Sequence, residues 1–149
     1  MSLDGIYDEN NVFARIVRGE LPCHKIFEDD VTLAFLDISP QSTGHTLTIS
    51  KWSRARNLLE AEPHAMAEIM NTVQRVARAA RRALNPDGIH VAQFNGGDTG
   101  QSVFHLHVHM VPRWKGKPLG ILQYYEPGAL ADQAELATLA ARIAAQVVD

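Results

Sequence analysis

Three of the chain's seven histidines fall within five residues, in "FHLHVHM". They are His105, His107 and His109, each separated by one apolar residue. An imidazole titrates near neutrality, so it can ligate a metal, relay a proton or attack as a nucleophile. In a strand this spacing puts the three rings on one face, ~6.6 Å apart at ~3.3 Å per residue. Phe104, Leu106, Val108 and Met110 then share the opposite face, which is wholly apolar and expected to meet a core. A helix would scatter the rings around its axis. Pro112 ends the run.

Three uses compete. A solvent-facing strand with chance histidines is one, although histidine is not a favoured strand residue. A metal site is the second, since His-x-His on a strand is a common zinc pair. A closed site needs further Cys, His, Asp or Glu ligands. The local sequence offers only Asp98, and the one cysteine, Cys23, is distant. The third is nucleophilic catalysis on phosphorus, with neighbouring imidazoles fixing a tautomer and binding phosphate oxygens. The upstream "NGGDTGQS" favours this use. It supplies Asn95, Gln101 and Ser102 as polar donors. Gly96, Gly97 and Gly100 would let backbone N–H groups come close to an anion.

The elements that must carry these residues follow from periodicity. Phe13, Ile16 and Val17 start a short helix that Gly19 and Pro22 end. "HKIFEDD" and "TLAFLDIS" read as a hairpin turning at Asp29-Asp30, and "HTLTISKW" alternates as a half-buried strand. From Pro63, the residues Met66, Ile69, Met70, Val73, Val76, Ala77, Ala80 and Leu84 predict an amphipathic helix. Arg75, Arg78, Arg81 and Arg82 lie towards its end, where cations suit the helix dipole. "IHVAQFN" and "SVFHLHVHMVP" read as two more strands. Asp132 to Val148 reads as a closing helix, with Asp132 as N-cap and Glu135 as its capping-box partner.

The bulk composition fits a globular chain of ordinary size. The 149 residues suit one domain, 1–149, with a core over about 12–113 and a C-terminal tail and helix over 114–149. With 46% apolar and 21% charged residues the composition is not that of a disordered chain. A net charge of −3 gives no reason to expect nucleic acid as partner. A single cysteine excludes an intrachain disulfide and fits a reducing compartment. "MSLDGIYDENN" lacks the basic and apolar regions of a secretory signal. The apolar stretch Ala134 to Val148, broken by Arg142, falls short of the ~20 residues needed to span a bilayer. A soluble, cytoplasmic protein with no membrane association is expected.

"GQSVFHLHVHMVPR" resembles the signature of the histidine triad (HIT) family, and "VFARIVRGELPCHKIFEDDVTLAFLDISPQSTGHTLTISK" is similar to that family's N-terminal half. The resemblance is nearest to its nucleotide-binding and bacterial branches. It implies an α+β fold: a five-stranded antiparallel sheet with two main helices, joined edge to edge in a homodimer. It also implies a purine nucleotide cleaved at the α-phosphate through a nucleotidyl-histidine intermediate. His107 would be the nucleophile, His109 would bind the phosphate, and His105 would orient its neighbours. Gln101 and Ser102 would contact the phosphate and leaving group. His45 matches a fourth active-site histidine, and Asp37 the carboxylate that accepts the ribose hydroxyls. Phe13, Ile16, Leu21, Phe35, Leu36 and Ile38 match the base pocket, and Asn95 a polar residue near the phosphate.

The chain departs from many bacterial relatives where these hold a structural zinc through two cysteines, a histidine and the first triad histidine. Asn11 and Ala14 stand at the cysteine positions and Ser53, in "SKWS", at the histidine position. No structural zinc and no other cofactor is expected. The "GQS" form points to nucleoside 5′-phosphoramidates, with release of AMP or GMP. Cleavage of dinucleoside polyphosphates, and nucleotide binding with incidental turnover, remain the alternatives. Leu106 argues against the nucleotidyltransferases, which usually have proline there.

Overall fold

Asn11 opens the first helix by accepting a hydrogen bond from the Ala14 N–H, and α1 runs over Val12–Val17. The computed structural model describes residues 3–117 and 129–148. Strands β1 (Lys25–Glu28) and β2 (Thr32–Leu36) form the expected hairpin. The Asp29 carboxylate closes its turn by accepting from the N–H groups of Val31 and Thr32. Next come β3 (Thr46–Ser50) and the long helix α2 (Pro63–Leu84). Pro63 sits in the first turn, where its missing N–H costs nothing, and Asn85 ends the helix in the left-handed conformation at φ 49°. Strands β4 (Gly88–Ala92) and β5 (His107–Arg113) and helix α3 (Gln133–Ala144) complete the fold. Asp132 caps α3 by accepting from the Glu135 N–H, as its spacing predicts.

The five strands lie in the order β1-β2-β3-β5-β4, every pair antiparallel. The chain therefore has the expected α+β fold. One face of the sheet carries Ala34, Leu36 and Met110 under α2 and α3. Leu106 and Val108 extend that face against Ile69 and Val73. The other face carries Leu33, Phe35, Leu47 and Ile49 under Phe13 of α1. Register decides what else lies there. Phe35 pairs with Leu47 and Leu47 with His109, while Leu33 pairs with Ile49 and Ile49 with His107. Directly paired residues point to the same side, so His107 and His109 join the Phe13 face.

Several boundaries differ from the sequence-based expectation. Strand β5 begins at His107, because the Leu106 N–H is already committed to the Ala55 carbonyl at 2.9 Å. Phe104 is not a core residue. It is half-buried, with the Arg56 guanidinium 4.9 Å above its ring. Strand β4 stops at Ala92, short of Asn95. Met70 is 43% exposed, so the apolar stripe of α2 is narrower than its pattern suggests. The tail from Trp114 to Tyr125 falls mostly outside the described residues. Among the described residues, no helix is long and apolar enough to cross a membrane.

Candidate active site

A pocket of about 430 Å³ opens on the Phe13 face of the sheet. Of the apolar residues expected around a base, Phe13, Ile16, Leu21, Phe35, Leu36 and Ile38 all line it. Asp37, Ser102, His107 and His109 supply its polar wall. Val12, Pro22, Cys23, Ser39, Leu47 and Val103 line it as well, and local pattern singled out none of them. Pro22 and Cys23 could have been anticipated only from knowing that the turn after α1 folds back over β2. Phe13 packs edge-on against Phe35 at 5.4 Å and against His107 at 5.0 Å, so α1 sets both the apolar and the polar wall.

The hydrogen bonds assign the tautomers of His107, His45 and His109. His107 Nδ1 lies 2.7 Å from the His105 carbonyl oxygen. A carbonyl only accepts, so Nδ1 carries the proton and Nε2 the lone pair. The Gln41 N–H donates to His45 Nδ1 at 3.0 Å, which leaves the His45 proton on Nε2. That proton points to His109 Nδ1, 2.9 Å away, and so the His109 proton sits on Nε2. His45 lines no part of this pocket. It stands behind His109, and the Asp37 carboxylate approaches His45 Nε2 at 3.6 Å. Asp37 is itself oriented by the Ser39 N–H at 2.8 Å.

Burial keeps all four imidazoles neutral. Desolvation, opposed by Asp37, takes His45 down to about 4. Desolvation likewise takes His105 to about 4, and desolvation with the neighbouring His107 and His45 takes His109 to about 2. His107 is lowered as well, chiefly by burial. Removing a cation from water is the common cause.

Two expected donors are used elsewhere. The Gln101 amide accepts from Gly96 N–H at 2.9 Å and donates to the carbonyls of Arg56 and Val103 at 2.6 and 3.1 Å. It braces the loop instead of facing the pocket. Asn95 accepts from the Leu58 N–H at 2.8 Å and exchanges hydrogen bonds with Gln93, and it is not in the pocket wall. The glycine-rich loop closes on itself: the N–H groups of Thr99, Gly100 and Gln101 reach the carbonyls of Gly96 or Gly97. Ser102 stands exposed at the pocket rim. His105 turns away from the pocket towards Ser50 and Tyr7.

The model of the HIT domain matches residues 18–116. The chain belongs to the HIT family. It is 41% identical over 113 residues to the "Protein hit" of Bacillus subtilis, an alignment covering 75% of this chain and 77% of that one. It is 38% identical over 102 residues to the adenosine 5′-monophosphoramidase hnt1 of Schizosaccharomyces pombe, covering 68% of this chain and 73% of that one. A HIT-like protein of Bartonella henselae superposes with a TM-score of 0.86 at 38% identity, covering 96% of this chain and all of that one.

The zinc site of some HIT relatives does not fit this chain. Asn11 is occupied in capping α1, Ala14 has no donor atom, and Ser53 donates to Glu62. Both nitrogens of His105 are engaged. Asp37, His45 and His109 do place three ligand atoms within 4.8 Å of one another. However, His45 Nδ1 accepts the Gln41 N–H, so Nε2 holds a proton where a metal would need a lone pair. This cluster is built as a hydrogen-bonded relay.

Proposed function

We propose that this HIT protein is a nucleotide hydrolase that cleaves at the α-phosphate, acting as a nucleoside 5′-phosphoramidase that releases AMP or GMP. One observation carries the reading: the hydrogen bond from His107 Nδ1–H to the His105 carbonyl. It puts the lone pair on Nε2 of a ring that lines the pocket and that burial keeps neutral.

In the reaction His107 Nε2 attacks the α-phosphorus. The N–P bond forms as the bond to the leaving amine breaks, and the amine departs with a proton taken from solvent at the pocket rim. Water then attacks phosphorus and gives one proton back to solvent, the N–P bond breaks, and the nucleoside monophosphate leaves with the Nε2 lone pair restored. His109 Nε2–H, held in that tautomer by His45, donates to a phosphate oxygen, where charge develops. Ser102 contacts the phosphate or leaving group from the rim. Asp37 accepts the ribose hydroxyls, and the base lies among Phe13, Ile16, Leu21, Phe35 and Ile38. An apolar wall of this kind accepts adenine and guanine alike. The S. pombe relative supports the phosphoramidase choice. Among the described residues β4 is an edge strand, and Val91 on it is 44% exposed, which suits an edge-to-edge homodimer that light scattering would test.

The test is His107→Asn assayed with adenosine 5′-phosphoramidate and with diadenosine polyphosphates. Turnover is expected to fall by a factor on the order of 10⁴ or more, with AMP still bound. Faster cleavage of the polyphosphates by the unmodified protein would overturn the substrate choice. Retained turnover in His107→Asn would overturn the mechanism.

A further inference from the structure

His105 lines no part of the pocket, yet it is tightly anchored. It is 3% exposed. Its Nε2 lies 3.1 Å from the Ser50 carbonyl, and its Nδ1 lies 2.8 Å from the Tyr7 hydroxyl. The Ser50 carbonyl only accepts, so the proton is on Nε2 and Tyr7 is the donor to Nδ1. The main-chain carbonyl of the same residue receives the His107 Nδ1–H at 2.7 Å. A continuous path thus runs from the Tyr7 hydroxyl through the His105 ring and backbone to the His107 ring.

Tyr7 reaches this path from residues 3–11, outside the HIT match at 18–116. That segment is strapped across the domain. The Leu3 carbonyl accepts from Arg56 Nη1 and Asn57 Nδ2, each at 2.9 Å. Gly5 lies so close to the Arg56 guanidinium that a Cβ there would come within 2.8 Å of Cζ. Arg54 lies 5.4 Å over the Tyr7 ring and pairs with Glu9. Arg18 Nη1 also donates to the Glu9 carbonyl, at 2.7 Å. The neighbouring Ala55 carbonyl takes the Leu106 N–H and ends the bend that precedes β5. One short loop, residues 54–57, therefore holds both the strap and the entry to the histidine strand.

We propose that Tyr7 is a positioning residue for the hydrolysis assigned above. Its hydroxyl holds His105 in the neutral, Nε2-protonated state, and His105 in turn holds the carbonyl that orients His107. The proposal rests on His107 being the nucleophile. When Nε2 bonds to phosphorus, positive charge spreads over the His107 ring, and the Nδ1–H···O=C hydrogen bond strengthens. A displaced carbonyl weakens that stabilisation. Without the tyrosine hydroxyl, His105 Nδ1 becomes a buried acceptor with no donor, and the ring loses one of its two anchors.

The experiment compares the full chain with its Tyr7→Phe variant in two assays. In the first, turnover of adenosine 5′-phosphoramidate at pH 7 should show kcat lower by about fivefold, the worth of one neutral hydrogen bond, with KM unchanged because Tyr7 does not touch the pocket. In the second, ¹⁵N spectra of the histidines at pH 7.5 should show His105 Nδ1 losing the shift of a hydrogen-bonded acceptor and the His107 Nδ1–H signal moving with the displaced carbonyl. Unchanged ring-nitrogen signals of His105 and His107 overturn the proposal whatever the activity does. A kcat loss matched by a KM rise also overturns it, since that marks a distorted pocket. Should the variant fold poorly, the unmodified protein decides: His105 must resonate as the Nε2–H tautomer with a hydrogen-bonded Nδ1, and any other state refutes the contact. If instead His107→Asn keeps its turnover, the nucleophile assignment fails, while the His105 ring-nitrogen signals still report on Tyr7 alone.

Discussion

Taking this protein from pH 7.5 to pH 5 should remove about 6 kcal/mol of its stability, and the buried histidines set the size of the loss. In the unfolded chain a histidine titrates near 6.5. In the folded chain His45 and His105 titrate at about 4 and His109 at about 2, and His107 is lowered too. The sign follows from proton binding. Above pH 6.5 both states are neutral and these groups contribute nothing to the pH dependence. Below it the unfolded chain takes up protons that the folded chain refuses, so stability falls with pH until the native values are reached. At pH 6 each of the three histidines with a stated value costs about 0.8 kcal/mol, and at pH 5 about 2 kcal/mol. The three together approach about 6 kcal/mol at pH 5, with His107 adding in the same direction. That is comparable with the whole stability of an ordinary domain, about 5–15 kcal/mol. Urea unfolding at pH 7.5, 6 and 5 measures it directly. A loss of about 2–3 kcal/mol is expected by pH 6 and steeper loss beyond. A stability flat to within about 1 kcal/mol over this range would refute the buried, neutral triad, and with it the lone pair on His107.

Two further substitutions separate scaffold from chemistry. Gln101→Ala removes three hydrogen bonds and strands the Gly96 N–H and the carbonyls of Arg56 and Val103. It should cost about 2–4 kcal/mol of stability, read as a lowered Tm. Lost turnover with an unchanged Tm would show that Gln101 reaches the substrate after all. Gly44→Ala forces a side chain onto a backbone at φ 87°, with its Cβ 2.7 Å from Leu84 Cδ1 and 3.2 Å from Pro112 Cγ. A loss of about 2 kcal/mol is expected. Turnover should fall as well, because the next residue, His45, holds the His109 tautomer; a Tm within about 1 °C of the parent would refute the close approach.

The parts of the site that were legible in the sequence are those set by local rules. Period-two alternation put His107 and His109 on one face, and the cross-strand register with Leu47 and Ile49 then placed that face against Phe13. Caps and breakers were equally local: Asp132, Gly19 and Pro63 act in the structure as their types predict. What could not be read was the destination of each polar group. Gln101 and Asn95 have the right chemistry at the right distance in sequence to hold a phosphate. Whether they do so depends on Arg56 and Leu58, residues with no sequence relation to the loop. The start of β5 depends in the same way on the Ala55 carbonyl. His105 is the instructive case. By spacing it equals its two neighbours, and only long-range partners, Ser50 and Tyr7, draw it out of the pocket. Alternation along a strand predicts a shared face. It does not predict a shared task, because a buried imidazole works through both nitrogens and each nitrogen's partner comes from elsewhere in the fold.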